Sequence, residues 1–345
     1  MKNIINLPHV VCKYTCMVNG IGDVYRFKTG QTFSDEFLMA VSGMASFVYI
    51  KNKKAEPPFM VFWGQSIKNQ YRNLEQVLGL KIKITEGKSF NLAMKLLREG
   101  INSRNPVIIG PLDMFYLEYH EFFNKKHAFP HFVLVVGYDD NDRKIFLYDC
   151  DSADLRKLSY ENLKIAWEKD EPGYIKKNAV ITFSLSDIPL SFDESVKAGL
   201  ILKASQMLNP PIKSLGVPGV RKLAVEFPDW EKFLGSNDYK MALENMARYA
   251  NSPPTLSRAF NDFTGKREDF SKLLKELGTI THEKRLLSLS ESFSTSGKLI
   301  REISLIILDK LDGKSDRRKF IPQLLMKVAD IEEEAYGEIK GIYNE

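Results

Sequence analysis

Three residue types in this chain can be combined into covalent chemistry: a cysteine nucleophile, a histidine base and an aspartate to orient it. Cys12 follows the apolar pair Val10-Val11 and opens a stretch with helical periodicity. At about 100° per residue, Tyr14, Met17, Val18, Ile21, Val24 and Tyr25 share one face, and Cys12, Cys16, Asn19 and Asp23 share the other. A thiol at a helix N-terminus meets unpaired N–H groups and the positive end of the dipole, which favour thiolate. Cys12 is therefore the expected nucleophile, with Cys16 a second thiol one turn further in; the bland alternative makes both of them small core residues. Of the five histidines, His131 opens an apolar strand, and the next strand ends at Asp149. In a hairpin of that length the start of one strand lies near the end of the other, so His131 and Asp149 emerge together, with Asp151 as a rival. A metal site needs closely spaced ligands, and no Cys-x-x-Cys pair occurs. No glycine-rich phosphate loop follows a strand.

The elements that must position these residues can be read in outline. Ser34–Gly43 suits a helix capped by Ser34. Met44–Ile50 and Phe59–Trp63 are short runs rich in strand formers, and Ser66–Leu78 suits a helix. Lys81–Thr85 alternates like a strand with one exposed face. Ser89–Glu99 is an amphipathic helix closed by Gly100. Pro106–Pro111 is a wholly apolar central strand, 131–141 and 144–149 form a hairpin, and 179–183 ends the set. This order is α+β rather than alternating βαβ. Beyond Pro189 the spacing is helical over 192–208, 220–227, 238–249, 266–277, 283–294, 298–311 and 319–336, with no long strand candidate. Two domains are expected, at 1–185 and 190–345.

Composition narrows the class. Across 345 residues the net charge is +5, and the basic excess belongs to the first 185 residues, with 25 basic against 20 acidic side chains. The lysines are scattered rather than striped, which argues against nucleic-acid binding. No segment reaches the roughly 18 uncharged apolar residues of a membrane span. Three cysteines, two of them four residues apart, do not make a disulfide framework, and the first residues lack a secretory pattern, so a reducing cytoplasm is expected.

The segments His131-Phe-Val-Leu-Val-Val-Gly-Tyr-Asp-Asp140 and Ile145-Phe-Leu-Tyr-Asp149 resemble the His and Asp segments of papain-like, bacteriocin-processing cysteine peptidases. The first half is more similar still to the butirosin-biosynthesis acyltransferase family (BtrH-like proteins). His9 with Cys12 and Thr15, Ser34 with Glu36, and Asp113-x-x-Tyr116-Leu-x-Tyr119 carry that likeness. In the second half Gly219-Val-Arg221, Trp230 and Arg258-Ala-Phe-x-x-Phe263 resemble the accompanying helical domain. The chain departs from the family where Val10 and Val11 separate His9 from Cys12, and where Ser252-Pro-Pro-Thr replaces a glycine run. The resemblance implies a papain-like N-terminal domain with an all-helical C-terminal domain over the cleft. It also implies acyl transfer from a carrier-protein thioester, on its phosphopantetheine arm, to a small-molecule amine, with no other cofactor and no metal. Cys12 is then the nucleophile, His131 the base and Asp149 its orienter. Asn6 stands where the peptidases carry an oxyanion glutamine, and His9, Asp113 and Tyr116 are candidates for substrate contacts. A peptidase or amidase with the same triad, and a non-catalytic binding protein, are the alternatives.

Overall fold

The structure, a computed structural model, describes residues 1–12, 16, 18–170, 175–185, 190–248 and 264–344. In chain order the strands are β1 (Lys2–Ile4), β2 (Val48–Lys51), β3 (Phe59–Phe62), β4 (Leu80–Thr85), β5 (Val107–Leu112), β6 (His131–Asp139), β7 (Lys144–Asp149), β8 (Ser152–Ser159) and β9 (Ala179–Leu185). The helices are α1 (Ile21–Thr29), α2 (Asp35–Ser42), α3 (Ile67–Leu78), α4 (Phe90–Asn102), α5 (Tyr160–Trp167), α6 (Phe192–Leu208), α7 (Gly216–Glu226), α8 (Trp230–Phe233), α9 (Ser236–Arg248), α10 (Arg267–Ile280), α11 (Lys284–Leu311) and α12 (Ile321–Asn344). The N-terminal region is thus an antiparallel sheet with helices and the C-terminal region is largely helical, an α+β protein.

The chain divides into two compact units, residues 1–42 with 66–195 and residues 43–65 with 196–345. Residues 43–65, with the β2–β3 hairpin, group with the second unit. There the Tyr49 amide donates to the Ser214 carbonyl (2.8 Å) and the Gly216 amide to Phe47 (3.0 Å). The hairpin has too few strands to stand alone and finds its partners after residue 196.

In the first unit the sheet order is β4-β9-β5-β6-β7-β8, with β1 on the far end of β6, and every ladder is antiparallel. All nine residues of β6 are buried, which makes it the central strand. Serines cap three helices as their chemistry favours: Ser66, Ser89 and Ser159 accept from the amides of Asn69, Leu92 and Asn162. Helix α4 runs past Gly100 instead of stopping there. A Cβ at Gly100 would lie 2.7 Å from Val107, so the glycine serves the close approach of helix and strand.

The second unit is built on α7 and α9–α12 and the β2–β3 hairpin. Two helices expected at 283–294 and 298–311 are one, α11, passing through the buried Gly297, against which the Arg267 and Thr264 side chains pack. Arg267 and Glu332 are fully buried and paired in a fork, Nε to Oε1 at 2.8 Å and the second nitrogen to Oε2 at 2.9 Å. Ser296 donates to the same carboxylate, and Arg267 also reaches the carbonyls of Ser46 and Gly265. Breaking such a pair strands a buried charge, so Glu332→Gln is expected to cost about 3–5 kcal/mol of stability in denaturant unfolding. A loss under about 1 kcal/mol would contradict this account of the core. Among the described residues no helix is long and apolar enough to cross a membrane. The motif Arg258–Phe263 and the stretch 252–255 lie outside the described residues.

Candidate active site

The site is assembled on the central hairpin. In the β6–β7 ladder Leu134 faces Tyr148. One step further the register sets Asp149 diagonally from His131 on the same face of the sheet. The imidazole Nε2 lies 2.8 Å from both carboxylate oxygens of Asp149. Asp149 also accepts from the Tyr119 hydroxyl (2.7 Å) and from the Cys150 amide (2.7 Å). Burial by itself would raise this carboxyl, but the His131 charge and hydrogen bonds, with Tyr119 and Cys150, hold it well below the usual carboxylate range. The same pairing acts on His131. Burial opposes its charge, the Asp149 carboxylate outweighs burial, and a hydrogen bond with the Cys16 side chain adds to the effect, so its pKa stands well above 6.5. With Nε2 committed to Asp149, Nδ1 is the nitrogen left for the thiol.

Cys16 sits in a turn that is tied to the hairpin. The Asn19 amide donates to the Cys16 carbonyl (3.2 Å), and the fully buried Asn19 side chain donates to the Tyr148 carbonyl (3.3 Å). Gly20 follows in the left-handed region (φ 79°), and a Cβ there would lie 2.7 Å from Leu134 of β6. Helix α1 therefore begins at Ile21, not at Cys12 as the periodicity suggested. A left-handed residue breaks the helical path, and only glycine fits against Leu134. The expected buried face survives at Val18, Ile21, Val24 and Tyr25, whereas Tyr14, Thr15 and Met17 lie outside the described residues.

Cys12 is buried outside any helix and lines a cleft of about 300 Å³ with Val10, Val11, Phe33, Leu38, Asp35 and Glu36. The His131 ring is hydrogen-bonded to Asp149 and has a side-chain hydrogen bond with Cys16. Cys150, next to Asp149, has its thiol pushed up by burial and then by the charges of Cys16 and Asp149, which makes it a poor nucleophile. The rival Asp151 is exposed.

The remaining candidates fall elsewhere in the first unit. Asn6 is exposed between buried Ile5 and Leu7. Asp113 caps the turn 114–116 through the Phe115 amide (3.1 Å) and pairs with His127 (2.7 Å), on which Phe115 stacks. Tyr116 meets the edge of the same His127 ring at 6.1 Å. His9 bonds Asp23 and the Asp149 carbonyl. Two further contributors are tyrosines. Tyr119 stands in an aromatic run and touches Asp149. Tyr71, buried on α3, has a hydroxyl with no hydrogen-bond partner and feels the Cys16 charge. Among the described residues no group of three or more His, Cys, Asp and Glu side chains could hold a metal ion.

An antiparallel sheet whose central hairpin joins a histidine to an aspartate, with a cysteine turn docked against it, defines a class: an α+β protein with a Cys-His-Asp cluster. The chain belongs to the DUF4872 family and carries, ahead of that domain, a region of the butirosin biosynthesis protein H N-terminal type. The model of that protein's N-terminal region matches residues 15–150, and the domain of unknown function DUF4872 matches residues 161–339. No curated protein matches the chain. The first match spans Cys16, His131 and Asp149 and begins after His9 and Cys12.

Proposed function

We propose that the protein is a cysteine acyltransferase in which Cys16, rather than Cys12, is the nucleophile, on an N-terminal unit of papain-like arrangement. The observation that carries the reading is the His131 ring, whose Nε2 is bonded to Asp149 and which also has a side-chain hydrogen bond with Cys16. The resemblance to the butirosin-biosynthesis acyltransferases implies an acyl-thioester donor borne on the phosphopantetheine arm of a carrier protein, and a small-molecule amine as acceptor.

The steps follow from the geometry. In the resting pair His131 holds the proton on Nδ1 and Cys16 is the thiolate, whose Sγ attacks the thioester carbonyl. The tetrahedral oxyanion collapses, the carrier's thiol leaves, and His131 returns the proton to it. The amine then attacks the Cys16 acyl-thioester, His131 takes its proton, and collapse releases the amide and the Cys16 thiolate, restoring the starting pair. Asp149 stays ionised throughout, holding the Nε2–H tautomer and supporting the imidazolium. Tyr71 fits an oxyanion donor: burial, then the Cys16 charge, raises its pKa well above 10, so the hydroxyl keeps its proton.

Transfer and hydrolysis separate in a single-turnover experiment with an acyl-thioester. Without amine the acyl-enzyme is expected to accumulate, and an added primary amine is expected to discharge it as amide. Prompt release of free acid without an amine would make the protein a hydrolase. No adduct and no turnover with thioesters and peptides would leave a binding protein.

A further inference from the structure

His9 uses both ring nitrogens on acceptors. Nδ1 lies 2.5 Å from Asp23 Oδ2, and Nε2 lies 2.9 Å from the backbone carbonyl of Asp149. A neutral imidazole has one N–H, so two acceptors call for the doubly protonated ring. The ring is buried and stacks on Tyr148 with centroids 4.6 Å apart. The other oxygen of Asp23 accepts from the Val10 amide (3.1 Å) and from Arg26 (2.9 Å), and Arg26 also donates to the Pro8 carbonyl (2.7 Å). The strap 8–10 is thereby fastened to α1, and His9 carries the connection to the last residue of β7.

We propose that His9 is a positioning residue which, donating from both nitrogens, ties Asp23 of α1 to the Asp149 peptide and so keeps the Asp149 carboxylate in register with His131. This rests on reading His131 and Asp149 as base and orienter. The Asp149 side chain leaves a peptide whose carbonyl accepts from His9, so the imidazolium limits rotation of the residue as a whole. Asp23 and Arg26 face His9 from α1, and Asp149 with the Tyr148 ring faces it from β7. Burial opposes the charge on His9, but the Asp23 hydrogen bond and charge, with the Asp149 carbonyl, raise its pKa above 6.5. For a histidine raised on folding, the contribution is complete below 6.5 and is lost as pH rises through the folded value.

Nitrogen-15 NMR of the full-length chain, with iodoacetamide labelling of Cys16, tests this. At pH 6 both His9 nitrogens are expected at imidazolium shifts. In a His9→Gln variant that keeps the wild-type circular dichroism, the His131 Nε2 proton is expected to exchange with water about tenfold faster and Cys16 to label about tenfold more slowly, the scale of a small misplacement. The labelling deficit should be largest at pH 6 and shrink as pH rises and wild-type His9 loses its proton. A purely structural role gives a deficit that does not follow the His9 titration. One bare His9 nitrogen at pH 6, or wild-type His131 exchange in a folded His9→Gln, overturns the proposal. Slow labelling of Cys16 in the wild type at every pH removes the nucleophile assignment instead, while the His9 shifts and His131 exchange still decide the role of His9. The shifts are read in the wild-type chain and stand even if the variant does not fold.

Discussion

Replacing Asp149 with asparagine is expected to lower turnover by about four orders of magnitude with the fold retained, the scale seen when a triad histidine loses its orienting carboxylate. The His131 Nε2–H bonds to both Asp149 oxygens. Asparagine keeps the shape but presents one oxygen and one N–H, so the ring is drawn to the wrong tautomer or turned from Cys16. The imidazolium formed when Cys16 gives up its proton also loses its counter-charge. Asp151→Asn is expected to stay within a few-fold of wild type, because that carboxylate is exposed and screened. Rates measured with a fixed acyl-thioester check both. Near-wild-type turnover in Asp149→Asn, with the loss appearing in Asp151→Asn, would move the orienting role.

Cys16→Ala is expected to abolish turnover, a loss on the order of 10⁶ by the scale of removing a covalent nucleophile. Cys12→Ala is expected to change KM a few-fold through the cleft it lines and to leave the chemical step running. The expectation rests on the Cys16 side-chain hydrogen bond with His131. Turnover that survives in Cys16→Ala and vanishes in Cys12→Ala would reverse the assignment.

The parts of this site that local rules determine are legible in the sequence. The His131–Asp149 pair follows from a hairpin whose strands are adjacent in the chain, where register is set by a short turn and a period of two. The cysteine turn is different. Apolar spacing carries through Gly20 as though one helix ran from Cys12 to Tyr25, and the break is imposed by Leu134, far along the chain. The burial of Val18, Ile21 and Val24 satisfies the same pattern with or without the break, so periodicity cannot locate it. Gly100 has the same logic, a stop signal in the sequence and a close-packing residue in the fold. Strand β8 is mostly exposed and polar, so no alternation of apolar residues marks it. The transfer of 43–65 to the second unit depends on contacts with residues 214–216, which no window of sequence contains.

The central claim is that the acyl group is carried by Cys16 with His131 as its base. It is tested most directly by trapping the acyl-enzyme from an acyl-thioester at low pH, digesting it, and locating the added mass by tandem mass spectrometry. The account predicts the acyl group on Cys16 in the wild type and in Cys12→Ala, and no adduct in Cys16→Ala. An acyl group found on Cys12, or an adduct that persists in Cys16→Ala, would contradict it.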